Sequence, residues 1–141
     1  MIEGQRCLLS GTLVYTPNKW VKIDDLNVND YIINHHGDKV LIEMIGKWPV
    51  YWENRRFCDK VYKIPGGLYG CTKDTFISSF HKISHGEMVE VFKLGLELAK
   101  KEEVADNGRY ILYHLKLKDD DINHFIVNGG CVVESWHGDI W

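Results

Sequence analysis

A series of short β-type segments, separated by turn signals, constrains the fold of this 141-residue chain more than any other feature. The segments are rich in Val, Ile, Tyr and Phe, and many alternate apolar with polar residues, as half-buried strands do. The predicted strands are residues 13–15, 39–45, 60–64, 75–80, 87–92, 110–117 and 124–133. The turn signals lie at residues 16–18, 34–38, 65–67, 106–108 and 128–130. Short strands at this spacing predict an all-β sandwich or closed β-fold.

One segment, residues 91–103, departs from the β pattern. Leu94 and Leu98 are four residues apart and the end is rich in Lys and Glu, which favours a helix. Gly95 lies inside it, at a cost of about 1 kcal/mol relative to Ala. We therefore expect a strand that runs into one or two short helical turns. No low-complexity linker divides the chain, so a single domain is predicted.

Composition and charge exclude several functional classes. The net charge of -3 argues against a nucleic-acid partner. No apolar run approaches the ~20 residues of a membrane span, so no membrane association is expected. The start, MIEGQR, is polar and unlike a secretory signal. We therefore expect a soluble, intracellular protein in a reducing compartment.

The chain contains four cysteines: Cys7, Cys58, Cys71 and Cys131. None belongs to a CxxC pair, the usual sign of a zinc site, so neither a metal nor another cofactor is expected. A reducing compartment also argues against disulfides. Cys58, Cys71 and Cys131 are interpreted as buried small hydrophobes.

Cys7 stands beside a Ser-Gly-Thr turn and a predicted strand. A cysteine nucleophile needs a partner that handles protons. Ser78 and His81 could supply one, because a bend in the strand would turn both side chains toward one site. Taken alone, Cys7 is more often an inert cysteine, and a lone Ser-x-x-His is more often a surface turn than a catalytic site.

Three segments in order carry a family resemblance. The first reads Cys-x-x-x-Gly-Thr-x-Val-x-Thr from Cys7, followed by Ile-x-x-Leu-x-Val-x-Asp-x-Ile from Ile23. The second is Ser-x-x-His at Ser78, and the third runs from Tyr113-His114-Leu115 to Asn128-Gly129. Together they resemble the sequence blocks of inteins and Hedgehog-type autoprocessing domains, the Hint superfamily, in a minimal form without an endonuclease insertion.

The resemblance implies an all-β Hint fold with a pseudo-twofold arrangement, at residues 7–135, between a leader (1–6) and a tail (136–141). It implies a single-turnover, self-cleaving domain whose substrate is its own peptide bond. Cys7 would attack the Arg6 carbonyl in an N-to-S acyl shift that gives a thioester. His81 would protonate the Cys7 nitrogen, Ser78 would hold the scissile peptide, and His124 would assist from the other end of the chain. His124 fits equally a strand histidine bonded to backbone.

Several positions depart from the family pattern. Splicing inteins end in His-Asn, whereas residues 132–135 read Val-Val-Glu-Ser, so cleavage without splicing is expected. No sterol-recognition region of the Hedgehog kind is expected. His114 stands where the family often has Asp, which puts an acid–base role of that Asp in doubt. Ser78 replaces Thr, and Asn29-Asp30 replaces Gly-Asp.

Two other hypotheses stay open. The chain could be a catalytically silent Hint-like structural or assembly module, such as a virion component of a phage or large virus, by family analogy alone. It could also be a small β-barrel binding module unrelated to inteins. Trp136 and Trp141 in the tail could anchor a protein partner, because Trp is enriched at interface hot spots.

Overall fold

The computed structural model describes residues 7–119 and 123–136, which form twelve strands. The predicted leader and residues 137–141 of the predicted tail lie outside the described residues. The strands are β1 Leu8–Leu9, β2 Leu13–Tyr15, β3 Trp20–Lys22, β4 Tyr31–Ile33, β5 Lys39–Tyr51, β6 Val61–Ile64, β7 Thr75–Ser78, β8 Lys82–His85, β9 Glu87–Glu90, β10 Arg109–Leu117, β11 His124–Val127 and β12 Cys131–Glu134.

The strands form two six-stranded sheets, with neighbouring strands antiparallel. The first has the order β4-β5-β10-β1-β7-β6, and the second has the order β3-β2-β11-β12-β8-β9. Strands from both ends of the chain meet in each sheet, since β1 pairs with β10 and β2 pairs with β11. The predicted all-β class is confirmed.

Among the residues that the structure describes, helical structure is confined to short turns. Four are 3₁₀ turns, at Ile23–Asp25, Trp52–Asn54, Phe57–Asp59 and Val91–Lys93, and one is a four-residue α-helix, α1, at Lys101–Val104. The predicted strand that runs into helical turns is therefore confirmed, with the change at Val91. Gly95 has a φ of 72°, which ends the first turn in the left-handed region.

Strand β5 is longer than predicted and continues through Pro49 to Tyr51. Pro49 lies opposite Ile111 of β10. On the other side of β5, β4 pairs only with residues 39–41. Within residues 7–119 and 123–136, the second half of β5 is therefore a sheet edge, where the missing N–H of a proline is tolerated.

Two apolar clusters form the core, and the adjacent residues Cys7 and Leu8 contribute to different ones. Leu8 lies in the larger cluster, with Phe125 among its members. Cys7 lies in the smaller cluster, which also contains Val50, Val61, Ala99, Tyr110 and Leu112. Successive residues of an extended chain point to opposite sides, so the thiol of Cys7 is buried among aliphatic and aromatic groups.

Candidate active site

The Ser-Gly-Thr turn, residues 10–12, directly follows β1 and ends it. Gly11 adopts a φ of 88°, which favours glycine. The Thr12 hydroxyl donates to the Leu9 carbonyl at 2.6 Å. Asp24 accepts hydrogen bonds from the Gly11 N–H and the Ser10 hydroxyl. The first sequence motif therefore builds a closed turn that holds Cys7 between β7 and β10.

Ser78 holds the backbone of Cys7 at two points. The Ser78 N–H donates to the Cys7 carbonyl at 3.0 Å, and the Cys7 N–H donates to Ser78 Oγ at 2.8 Å. Both residues are fully buried. The nitrogen of the predicted scissile bond is thus fixed by a side chain that the sequence singled out.

His81 follows Ser78 in a tight turn, in which the His81 N–H donates to the Ser78 carbonyl at 3.2 Å. Its ring is buried, and Nε2 lies 2.9 Å from the backbone oxygen of Glu134 on β12. A carbonyl only accepts, so Nε2 carries the proton in this contact. The predicted bend at the end of the strand is confirmed, and it sets His81 between the two sheets.

His114 is the residue whose importance the sequence interpretation missed. In the β1–β10 register Leu8 is opposite Tyr113, which places His114 directly across from Cys7. The distance from Cys7 Sγ to His114 Nδ1 is 3.9 Å. The available signal in the sequence was the histidine within the Tyr-His-Leu segment. It was interpreted only as the loss of an Asp.

Two tryptophans enclose the His114 ring. Trp136 stacks on it, with ring centroids 4.7 Å apart and an interplanar angle of 11°, and Trp48 meets it edge-on at 5.0 Å. Burial, together with the nearby His81, lowers the pKa of His114 to about 3. The imidazole is therefore neutral at physiological pH, and a neutral ring nitrogen accepts a proton.

The thiol of Cys7 is also uncharged in the resting site. Burial raises the pKa of the Cys7 thiol well above its ordinary value, and the carboxylate of Asp59 raises it further. Asp59 is itself buried, and Arg56 binds it through Nε at 3.0 Å. The sequence interpretation did not identify Asp59. A single carboxylate three residues after an Arg gave no distinctive signal.

Comparison with known proteins tests the fold. No protein-family model and no curated protein sequence matches the chain. Solved structures do: a bacterial intein-like domain from Clostridium thermocellum has a TM-score of 0.69 at 12% identity, covering 93% of this chain and 99% of that domain. A DnaB intein from Synechocystis sp. PCC 6803 has a TM-score of 0.62 at 14% identity, covering 94% of this chain and 100% of that intein. The chain has the Hint fold of inteins.

Within this Hint fold, Glu134 and Ser135 occupy the end of β12 and the residue after it. The Glu134 side chain accepts from the Lys82 N–H at 3.0 Å, and Ser135 Oγ accepts from the Leu117 N–H at 2.9 Å. Both residues are buried. The sequence resemblance places the His-Asn pair of splicing inteins within residues 132–135, and that correspondence stays a prediction.

His124 lies on β11, opposite Glu134. Its backbone N–H donates to His35 Nδ1 at 3.2 Å, and the two rings are 4.6 Å apart. The structure therefore brings Cys7, Ser78 and His114 together, places His81 in the same turn as Ser78, and packs His124 against the 34–38 turn. A catalytic role for His124 stays a prediction.

Trp136 is buried against His114, and Trp141 lies outside the described residues. Partner binding by the tail therefore stays a prediction. Among residues 7–119 and 123–136, no group of three or more His, Cys, Asp or Glu side chains is arranged to hold a metal ion. Within the same residues, no helix has both the length and the hydropathy needed to cross a membrane.

Proposed function

We propose that this Hint-fold domain cleaves its own Arg6–Cys7 bond through a thioester at Cys7. The observation that carries the proposal is the position of Cys7. Its nitrogen is hydrogen-bonded to Ser78 Oγ at 2.8 Å, and its sulfur is 3.9 Å from a neutral ring nitrogen of His114. Cys7 therefore combines a nucleophilic sulfur, a neighbouring proton acceptor, and a hydrogen bond that holds its nitrogen, the leaving group.

In the first step His114 Nδ1 takes the thiol proton as the sulfur attacks the Arg6 carbonyl carbon. The new S–C bond replaces the C–N bond, and the Cys7 nitrogen leaves as an amine after gaining a proton. His81 supplies that proton through Nδ1 when both of its ring nitrogens are protonated, since Nε2 donates to Glu134. Ser78 keeps the nitrogen in place throughout.

In the second step water or an added thiol attacks the thioester carbonyl. The S–C bond breaks, the Cys7 sulfur regains a proton, and the peptide of residues 1–6 is released. The reaction ends there, because Ser135 cannot cyclise as the terminal Asn of a splicing intein does. One turnover leaves a chain that begins at Cys7.

A silent Hint module is the second candidate, and the buried site itself favours it. The thiol of Cys7 is fully buried with a raised pKa, and its neighbour His114 is a weak base. Neither group ionises the other in the resting state. A protein that keeps this fold for its shape, as a structural or assembly part, would show the same resting geometry.

The deciding experiment is intact-mass spectrometry of the purified chain, incubated with and without hydroxylamine or a small thiol. Cys7→Ala removes the nucleophile, and Cys58→Ala is the matched control, because Cys58 is another buried cysteine. We expect loss of residues 1–6 in the unmodified chain and in Cys58→Ala, accelerated by either reagent, with none in Cys7→Ala. An unchanged full-length mass under all conditions would favour the silent module.

A further inference from the structure

Two glycine–cysteine pairs, Gly70-Cys71 and Gly130-Cys131, meet at the surface end of the second sheet. A Cβ added at Gly70 would lie 2.5 Å from the Gly130 carbonyl oxygen, and one added at Gly130 would lie 2.8 Å from the Gly70 oxygen. The two backbones are therefore in direct contact. Gly70 also has a φ of 83°, so glycine is required there by both space and conformation.

Hydrogen bonds fix this contact on either side. The Cys71 N–H donates to the Leu68 carbonyl at 2.9 Å, and the Thr72 N–H donates to the Asn128 carbonyl at 2.9 Å. The loop of residues 65–72 is thus joined to the turn of residues 128–130. With the backbones held this way, the two cysteines that follow the glycines are both buried in the larger apolar cluster.

The side chain of Cys131, together with that of Thr75, lowers the pKa of the Cys71 thiol below its ordinary value, and Cys71 in turn raises the pKa of Cys131. Cys71 is therefore the more readily ionised of the two thiols, and the thiolate is the form that attacks disulfides. Both residues are buried, yet residues 72–74 next to Cys71 are exposed.

We propose that Cys71 and Cys131 form a redox-active dithiol, a reversible disulfide site separate from Cys7. The sequence interpretation treated both residues as inert hydrophobes. Their packing brings two free thiols into contact across two rigid turns, whereas a Cys that only fills space needs no such partner. The proposal does not depend on the acyl shift.

The oxidant is a small-molecule disulfide such as oxidised glutathione. The Cys71 thiolate attacks one glutathione sulfur, forming a mixed disulfide and releasing one reduced glutathione. The Cys131 thiol then loses its proton and attacks the Cys71 sulfur, which forms the Cys71–Cys131 bond and releases the second reduced glutathione. Two thiols are oxidised and one glutathione disulfide is reduced, so electrons balance.

The full chain is incubated with oxidised glutathione and then denatured in the presence of an alkylating reagent. Denaturation is needed because all four cysteines are buried in the folded chain. Intact mass and a non-reducing peptide map are read together. We expect a species two hydrogens lighter, with two alkylated cysteines, a Cys71–Cys131 linked peptide, and reversal by dithiothreitol. The cross-link closes a long chain segment, so it should raise Tm by at least about 5 °C.

Variants separate this pair from the other two thiols. Cys71→Ser and Cys131→Ser should each lose the cross-link, and Cys58→Ser should keep it. Cys7→Ala should also keep it, which makes this result independent of peptide cleavage. A linked peptide of Cys7 with Cys58, or a stable glutathione adduct at Cys71 without ring closure, would overturn the proposal. Four alkylated cysteines in the folded chain would also overturn the proposal, if the denatured chain forms disulfides readily with the same oxidant. This comparison uses the unmodified chain and does not require any variant to fold.

Discussion

The sulfur of Cys7 lies 3.9 Å from Nδ1 of His114, and both groups are uncharged at neutral pH. Burial acts on the two groups in opposite directions, since it raises the pKa of the thiol and lowers that of the imidazole. A thiolate–imidazolium pair is therefore disfavoured in the resting site. The proton must move as the sulfur attacks, so any acyl shift here should be slow and should depend on His114.

Replacing His114 with Phe tests that dependence. His114→Phe keeps an aromatic ring against Trp136 but removes Nδ1. Thiol-induced cleavage should fall by roughly 10²- to 10⁴-fold, the usual contribution of a general base. The rate is measured by intact mass over time. His85→Phe is the control, because His85 is exposed and contacts Tyr69, and its rate should equal that of the unmodified chain. Equal rates in all three proteins would remove His114 from the mechanism.

The adjacent residues Ser78 and Ser79 allow a matched test of the hydrogen bond to the Cys7 nitrogen. Ser78→Ala loses the acceptor of the Cys7 N–H, and we expect cleavage to slow by roughly 10-fold or more. Ser78→Thr keeps the hydroxyl and should restore most of the rate. Ser79 donates to the carbonyls of Phe57 and Lys60 instead. Ser79→Ala should therefore lower the free energy of unfolding by about 1 kcal/mol with little effect on cleavage. Similar cleavage rates for the two alanine variants would contradict a role in cleavage for the hydrogen bond between Ser78 and the Cys7 nitrogen.

The fold could be predicted from the sequence because strand signals are local. Alternation and turn residues located β2, β10 and the Asn128–Gly130 turn without any tertiary information. Strands β1, β3, β4 and β8, which have two to four residues each, were missed. Such segments are strands because neighbouring strands pair with them, not because of their own propensity.

The site was predicted only in part, because its remaining residues are defined by register. Ser78 and His81 are three residues apart and share one turn, so spacing alone related them. His114 meets Cys7 only through the pairing of β1 with β10, 107 residues apart in the chain. Asp59 acts on Cys7 through space, from a 3₁₀ turn that no periodicity marks. Charge and burial at such distances are tertiary properties.

The neutral state of His114 should make the protein sensitive to acid. Its pKa is about 3 when folded, against 6.5 for an ordinary histidine. Below about pH 6.5 the unfolded chain therefore binds a proton at His114 that the folded chain does not bind. The free energy of unfolding then falls as the pH falls toward about 3. The loss at pH 5 should be about 2 kcal/mol. Urea unfolding at pH 7 and pH 5 measures it. His114→Phe should show a smaller loss, and His85→Gln should match the unmodified chain. Identical losses in all three would refute the assignment.

The carboxylate of Asp59 should slow the reaction by opposing the Cys7 thiolate. Asp59→Asn removes that negative charge, so the pKa of Cys7 should fall and more thiolate should be present at a given pH. Cleavage followed between about pH 6 and pH 9 should shift to lower pH, with a faster rate near neutrality. Asp74→Asn is the control, because Asp74 is exposed and pairs with Lys63. A pH profile in Asp59→Asn that overlays the control would show that burial alone sets the Cys7 pKa.

The contact between Gly70 and Gly130 should govern stability whether or not the cysteines oxidise. In Gly70→Ala the new Cβ meets a backbone oxygen, which cannot move without displacing the 128–130 turn. The same change at Gly86 is a matched control. Gly86 has a φ of 77° and no atom within 4 Å of its added Cβ, so only conformational strain applies there. We expect Gly86→Ala to cost about 1 kcal/mol, and Gly70→Ala to cost roughly 2–4 kcal/mol, by urea unfolding under reducing conditions. Equal costs would mean that the two turns separate easily. The contact between Gly70 and Gly130 would then not hold Cys71 and Cys131 together, which would contradict the proposed dithiol.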